Sequence, residues 1–169
     1  MVARSNVDIV YGFSFTAQAF YDVMKGDLVK EISGPLPELE THNDNRYSFL
    51  RKPTSSTSRE VYFAVTNALY RRMDCLLPEG DRWNGDGPFY RGGFSYSDDK
   101  ITVYFGRPVI ETNSSNVPEG CYGSQPFDPE AFNVIASMYR ERASALREEY
   151  VALGVNPTEV GWYRVEYTN

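Results

Sequence analysis

The stretch VDIVYGFSF, residues 7–15, runs into TAQAFYDVMKGDL, residues 16–28, and the hydrophobic period changes between the two. In the first part Ile9, Tyr11, Phe13 and Phe15 alternate with Asp8, Val10, Gly12 and Ser14, the period of two that marks a strand with one filled face. In the second part Ala17, Phe20, Met24 and Leu28 recur every three or four residues, which is helical spacing, and Thr16 stands where an N-cap belongs. Gly26 is expected to end or interrupt this helix, since glycine costs a helix interior about 1 kcal/mol relative to alanine.

The far end of the chain mirrors this opening. Asp128-Pro129-Glu130 supplies an N-cap, a proline in the first turn and an acid suited to the helix dipole. Phe132, Ile135, Ala136, Tyr139, Ala143, Leu146, Tyr150 and Leu153 then form one continuous stripe, with Arg140, Glu141, Arg147 and Glu148 read as the opposite face. Gly154 stops the helix, Asn156-Pro157 turns the chain, and Val160 to Tyr167 returns as a strand around Trp162.

Between these ends the signals are weaker. Tyr47 and Phe49 suit a short edge strand before Pro53, and Thr54 to Ser58 reads as a flexible tip. Glu60 to Thr66 alternates through Val61, Phe63 and Val65. Although Val61, Val65, Ala68 and Leu69 also fit a helix, the β-branched and aromatic content favours a strand. Pro78 to Pro88 is a loop. Phe89–Ser97 and Ile101–Ile110 form a hairpin joined at Asp98 and Asp99, with Ile101, Val103 and Phe105 facing one way and a bulge at Gly92-Gly93. The expected fold is α+β: a single-domain, two-layer sandwich over residues 1–169, mostly antiparallel sheet covered by two helices in a split β-α-β-like layout. The first and last strands should sit centrally or side by side, and an irregular arm occupies about residues 33–59.

Composition limits function by exclusion. An apolar fraction of 41% is too high for disorder, and no apolar run approaches the roughly 18 residues of a membrane span. No secretory signal opens the chain, so a cytoplasmic or virion location is expected, neither secreted nor transmembrane. The net charge of −6 opposes binding of a polyanion, which makes nucleic acid an unlikely partner. Aromatics reach 15%, and the bases are mostly arginine, the composition that protein interfaces favour.

Motifs for chemistry fail one by one. His42 with Cys75 or Cys121 is the sole Cys–His combination; His42 sits in a polar loop sequence and Cys75, before Leu76-Leu77, reads as a small buried hydrophobe. The run from Arg82 to Gly87 imitates a calcium loop at its centre, but Arg82 and Gly93 occupy the first and last ligand positions, where acids are needed. Gly12 is no phosphate cradle and more simply permits close packing. Glu60, Asp74, Asp81, Asp86, Asp98 and Glu111 offer no distinguishable catalytic pair. No cofactor or metal is expected.

One local anomaly remains. From residue 46 to 59 the chain carries Arg46, Arg51, Lys52 and Arg59 with no acid, together with Tyr47 and Phe49. Connections of this length are uncommon inside compact domains unless they serve a function. These six residues, with Trp83 as a further anchor, are the candidate partner-binding set. The runs from Ile9 to Thr16 and from Phe105 to Val109, and the closing Gly154 with Val160-Gly161-Trp162-Tyr163, resemble small uncharacterised proteins of large double-stranded DNA viruses. The resemblance is one of layout over most of the chain. It carries no catalytic motif and implies a viral origin with a virion or host-interaction role. The leading expectation is a non-enzymatic interaction or structural protein acting through protein–protein contact or self-association. The alternative is a small enzyme or ligand-binding protein with a pocket near Trp83, Tyr90 and Arg91.

Overall fold

A computed structural model of the chain describes residues 5–32, 36, 59–78, 89–91, 94–95, 98–111 and 128–168. The elements run β1 (Ser5–Thr16), α1 (Ala17–Glu31), α2 (Arg59–Leu76), β2 (Phe89–Arg91), β3 (Phe94–Ser95), β4 (Asp98–Glu111), α3 (Pro129–Ala152) and β5 (Gly161–Thr168). The fold is α+β. Its sheet has the order β2-β4-β1-β5, all antiparallel, with β3 pairing β4. Since β4 and β5 both oppose β1, they run parallel to each other on either side of it and are joined through α3, the split β-α-β arrangement read from the sequence. The first and last strands do pair, from Ser5↔Thr168 to Gly12↔Gly161.

Alternation in β1 separates two buried faces. Tyr11, Phe13 and Phe15 join Ile101, Val103 and Phe105 of β4 in the main core, where α1, α2 and α3 also bury their apolar stripes. Three helices, not two, therefore cover this face. Val10 on the other side forms a second cluster with Tyr104 and Val165, and Asp8, Ser14 and Thr102 are also buried. A strand covered on both sides is the mark of a central position. β3 continues the register of β2 along β4 and also comes against β5. With the helices filling the first face, this edge curls over the second.

Three element-level expectations change. The Glu60–Thr66 segment is not a strand but part of α2, because the helical stripe of Val65, Ala68, Leu69 and Met73 continues beyond it and all four are buried. Burial of a continuous stripe outweighs the local β preference of Val61, Phe63 and Val65. Two positions past Met73, Cys75 faces outward and is exposed, not a buried hydrophobe. Gly26 neither ends nor interrupts α1, which reaches Glu31 with Phe20, Met24 and Leu28 buried on either side of the glycine. The hairpin holds, but Asp98 and Asp99 already pair with Ser95 and Phe94, so they belong to its strand and not to its turn.

Two glycines are required by their surroundings. A Cβ on Gly12 would collide with the Val103 carbonyl, so glycine here lets β4 approach β1. In β4 the register with β1 slips between Ile9↔Ile110 and Tyr11↔Phe105, looping residues 106–109 out of the ladder. Gly106 starts that loop at φ +71°, where a Cβ would also stand 2.8 Å from Cε2 of Tyr139. Looping out also explains why Pro108, which has no N–H to donate, is tolerated within β4.

The caps match the sequence. Thr16 accepts from the Ala19 N–H at 3.2 Å and Asp128 from the Glu130 N–H at 3.0 Å. Gly154, at φ +93°, ends α3 by donating to the Val151 carbonyl, and the following Val155 N–H bonds to Tyr150 O. In urea titrations, Leu146→Ala should cost about 2–5 kcal/mol, and Arg140→Ala, on the exposed side, under about 0.5. Gly26→Ala should stabilise by about 0.5–1 kcal/mol, since the helix gains propensity and nothing lies within 4 Å of the new methyl. Equal costs at residues 140 and 146 would overturn the assigned face of α3.

Candidate functional site

Of the residues singled out for partner binding, Arg46, Tyr47, Phe49, Arg51, Lys52 and Trp83 lie outside the described residues, as do His42, Cys121, the Thr54–Ser58 tip and Gly92-Gly93. Arg59 belongs to the first turn of α2, not to the irregular arm. Tyr90 and Arg91, named for the alternative pocket, lie in β2 at the sheet edge, opposite Val103 and Thr102.

The structure does fix where the arm is rooted. Leu36, just past α1, and Val61, in the first turn of α2, both pack against the main core. Glu31 then ties the two helices together, one carboxylate oxygen receiving Arg71 at 3.1 Å and the other receiving Arg72 at 3.2 Å. All three side chains are at least 40% exposed, so each pair is worth at most about 1 kcal/mol.

The richest polar constellation among the described residues is elsewhere, at the junction of α3, β1 and β5. Thr158 donates its N–H to Ser14 O at 2.8 Å, and its Oγ1 accepts the Ser14 N–H at 2.9 Å, a bridge in which a side chain replaces a carbonyl. The Thr158 carbonyl is engaged by Arg147 Nε at 2.8 Å. The same guanidinium reaches Pro157 O at 3.4 Å, Glu159 Oε1 at 2.8 Å and Glu148 Oε1 at 2.8 Å. Tyr163 bonds Thr158 Oγ1 at 2.7 Å and the Glu159 carbonyl. A phenol has one proton, so when the carbonyl takes it the threonine hydroxyl donates back to the phenolic oxygen.

Four hydrogen bonds from Arg147, with those of Thr158 and Tyr163, close the group on itself, and its chemistry is that of a lock. Sequence reading placed Arg147 on the open face of its helix. Its side chain is only 17% exposed, because the turn after Gly154 folds back over it. The signal was too distributed to find: Thr158 is meaningful only through Ser14, 144 residues away.

The remaining described residues offer no cluster of three His, Cys, Asp or Glu side chains, and no helix among them is long and apolar enough to cross a membrane. Partial burial pushes the Tyr70 phenol above its ordinary value. Exposed apolar side chains concentrate on α3, where Val134 and Met138 are 54% and 62% exposed and Val151 also faces out. Compared with protein-family models, curated proteins and solved structures, the chain matches none of them.

If the junction is a lock, Thr158→Val should cost about 1–3 kcal/mol, because it strands the buried Ser14 N–H. Tyr163→Phe, which removes one hydroxyl and leaves the bridge, should cost about 0.5–1.5 kcal/mol. A urea titration in which Tyr163→Phe is the costlier change would contradict the assignment.

Proposed function

We propose that this chain acts by protein–protein contact and not by catalysis, using the arm between α1 and α2 as its contact segment. The observation that carries this reading is the acid-free run from residue 46 to 59, basic and aromatic within an acidic chain, in a segment bounded by Leu36 and Val61, which both pack against the core. Arginine and tyrosine supply charge-assisted hydrogen bonds and broad apolar contact together, the combination found at interface hot spots. Rooting at both ends lowers the entropy lost on binding relative to a free tail. The partner surface that fits such a segment is acidic and partly apolar. A virion or host-cell setting, implied by the resemblance in layout, is compatible with this reading.

The test uses the full chain and a fluorescent random copolymer of glutamate and tyrosine as an acidic, aromatic protein-like probe. Arg51→Glu with Lys52→Glu should weaken its binding by about tenfold or more at low salt, with a smaller effect at high salt where the screening length shrinks. Arg140→Glu is the control, since Arg147 is occupied in the lock. Thermal midpoints should stay within a few degrees. Equal binding by the arm variant, or no binding by the original chain, would overturn the reading.

A further inference from the structure

Helix α3 has an outer crest of unusual make-up. At 3.6 residues per turn, Glu130, Val134, Met138, Glu141, Ala145 and Glu148 all fall within about 60° of the line farthest from its buried stripe. No base lies in that band. The arginines of the helix stand about 100° or more to the sides, where Arg147 is held in the lock and Arg142 lies 5.9 Å from the ring of Tyr139. The crest is therefore acidic with apolar gaps, and its two largest apolar side chains are exposed.

Two crests packed against each other would set glutamates against glutamates, which repel. The fitting occupant is basic and aromatic, and this chain contains such a segment at 46–59. We propose that the occupant of the α3 crest is the arm of a second copy of the same chain, with Arg51 and Lys52 against Glu141 and the arm aromatics against Val134 and Met138. This deepens the reading above and rests on it. The charge complementarity lies within one sequence, while the exposure of Val134 and Met138 shows that none of the described residues covers the crest. An arm-to-crest contact joins two different surfaces, so assembly proceeds beyond dimers unless the rotation between copies closes a ring.

Sedimentation velocity on the full chain over a hundredfold concentration range tests this. The original chain should self-associate, more strongly at low salt. Arg51→Glu with Lys52→Glu should weaken association at least fivefold, and so should Val134→Lys with Glu141→Lys on the crest. Combining all four substitutions reverses both surfaces and should return association to within about threefold of the original at low salt, a recovery that a misfolded variant cannot produce. Circular dichroism and urea midpoints verify that each variant folds.

A chain that stays monomeric throughout overturns the proposal. So does a crest variant that associates normally, or a combined variant that fails to recover. If the acidic copolymer still distinguishes the arm variant in those cases, the arm remains a contact segment and only its receiver is misassigned; if it does not, both readings fall.

Discussion

Phe13 and Phe15 leave one face of β1 and close on Tyr150 of α3, their ring centroids 5.6 and 4.8 Å from its own, while Phe20 of α1 completes the group at 5.8 Å. Four rings from three elements meet here, and Phe13, Phe20 and Tyr150 are fully buried. Such contacts contribute about 0.5–1.5 kcal/mol each beyond the area they bury. Their larger effect is geometric. With α3 held on β1, the chain leaving β4 must cross the helical face and come back on the far side of β1, which puts β5 where it pairs. A second aromatic path runs from Tyr11 to Trp162 at 5.1 Å and from Trp162 to Phe132 at 4.5 Å, fixing the first turns of α3 to β5.

The polar lock works on the same junction through backbone groups. A helix that ends in a left-handed glycine and a turn containing proline leaves several carbonyls and N–H groups without helical or sheet partners. Arg147 takes the carbonyls of Pro157 and Thr158, and Thr158 pairs with Ser14 before β5 resumes its regular register at Gly161. A half-buried arginine-and-tyrosine group of this kind superficially resembles a reaction centre. Its hydrogen bonds go to the turn and to the carboxylates of Glu148 and Glu159, a pattern that fits a structural role better than a chemical one.

Charge is arranged against this framework in a way that bears on function. Within α3 the arginines lie to the sides while Glu130, Glu141 and Glu148 occupy the crest, and the run from residue 46 to 59 carries bases without acids. An acidic total of −6 thus conceals local runs of opposite charge. Segregation of this type keeps isolated molecules apart through their shared net charge and favours approach in one orientation, since steering acts through the local field and weakens with salt.

The sequence alone determined the strand-to-helix switch at Thr16, the capped and glycine-terminated α3 and the hairpin ending in β4. Each rests on local signals: period, cap chemistry, or turn residues within a few positions. It also exposed the basic run at 46–59, since charge needs no structure to be read. What only the tertiary structure decided depended on partners distant in sequence. The 60–66 segment became helix because its stripe of Val65, Ala68, Leu69 and Met73 finds a core to enter, which local β preference cannot reveal. Gly26 stayed within α1 because burial on both sides of it exceeds its propensity cost. Arg147 turned from an outward residue into a clamp because the chain after Gly154 folds back over it, and the acidity of the α3 crest emerged only once the packed face fixed which way the helix points.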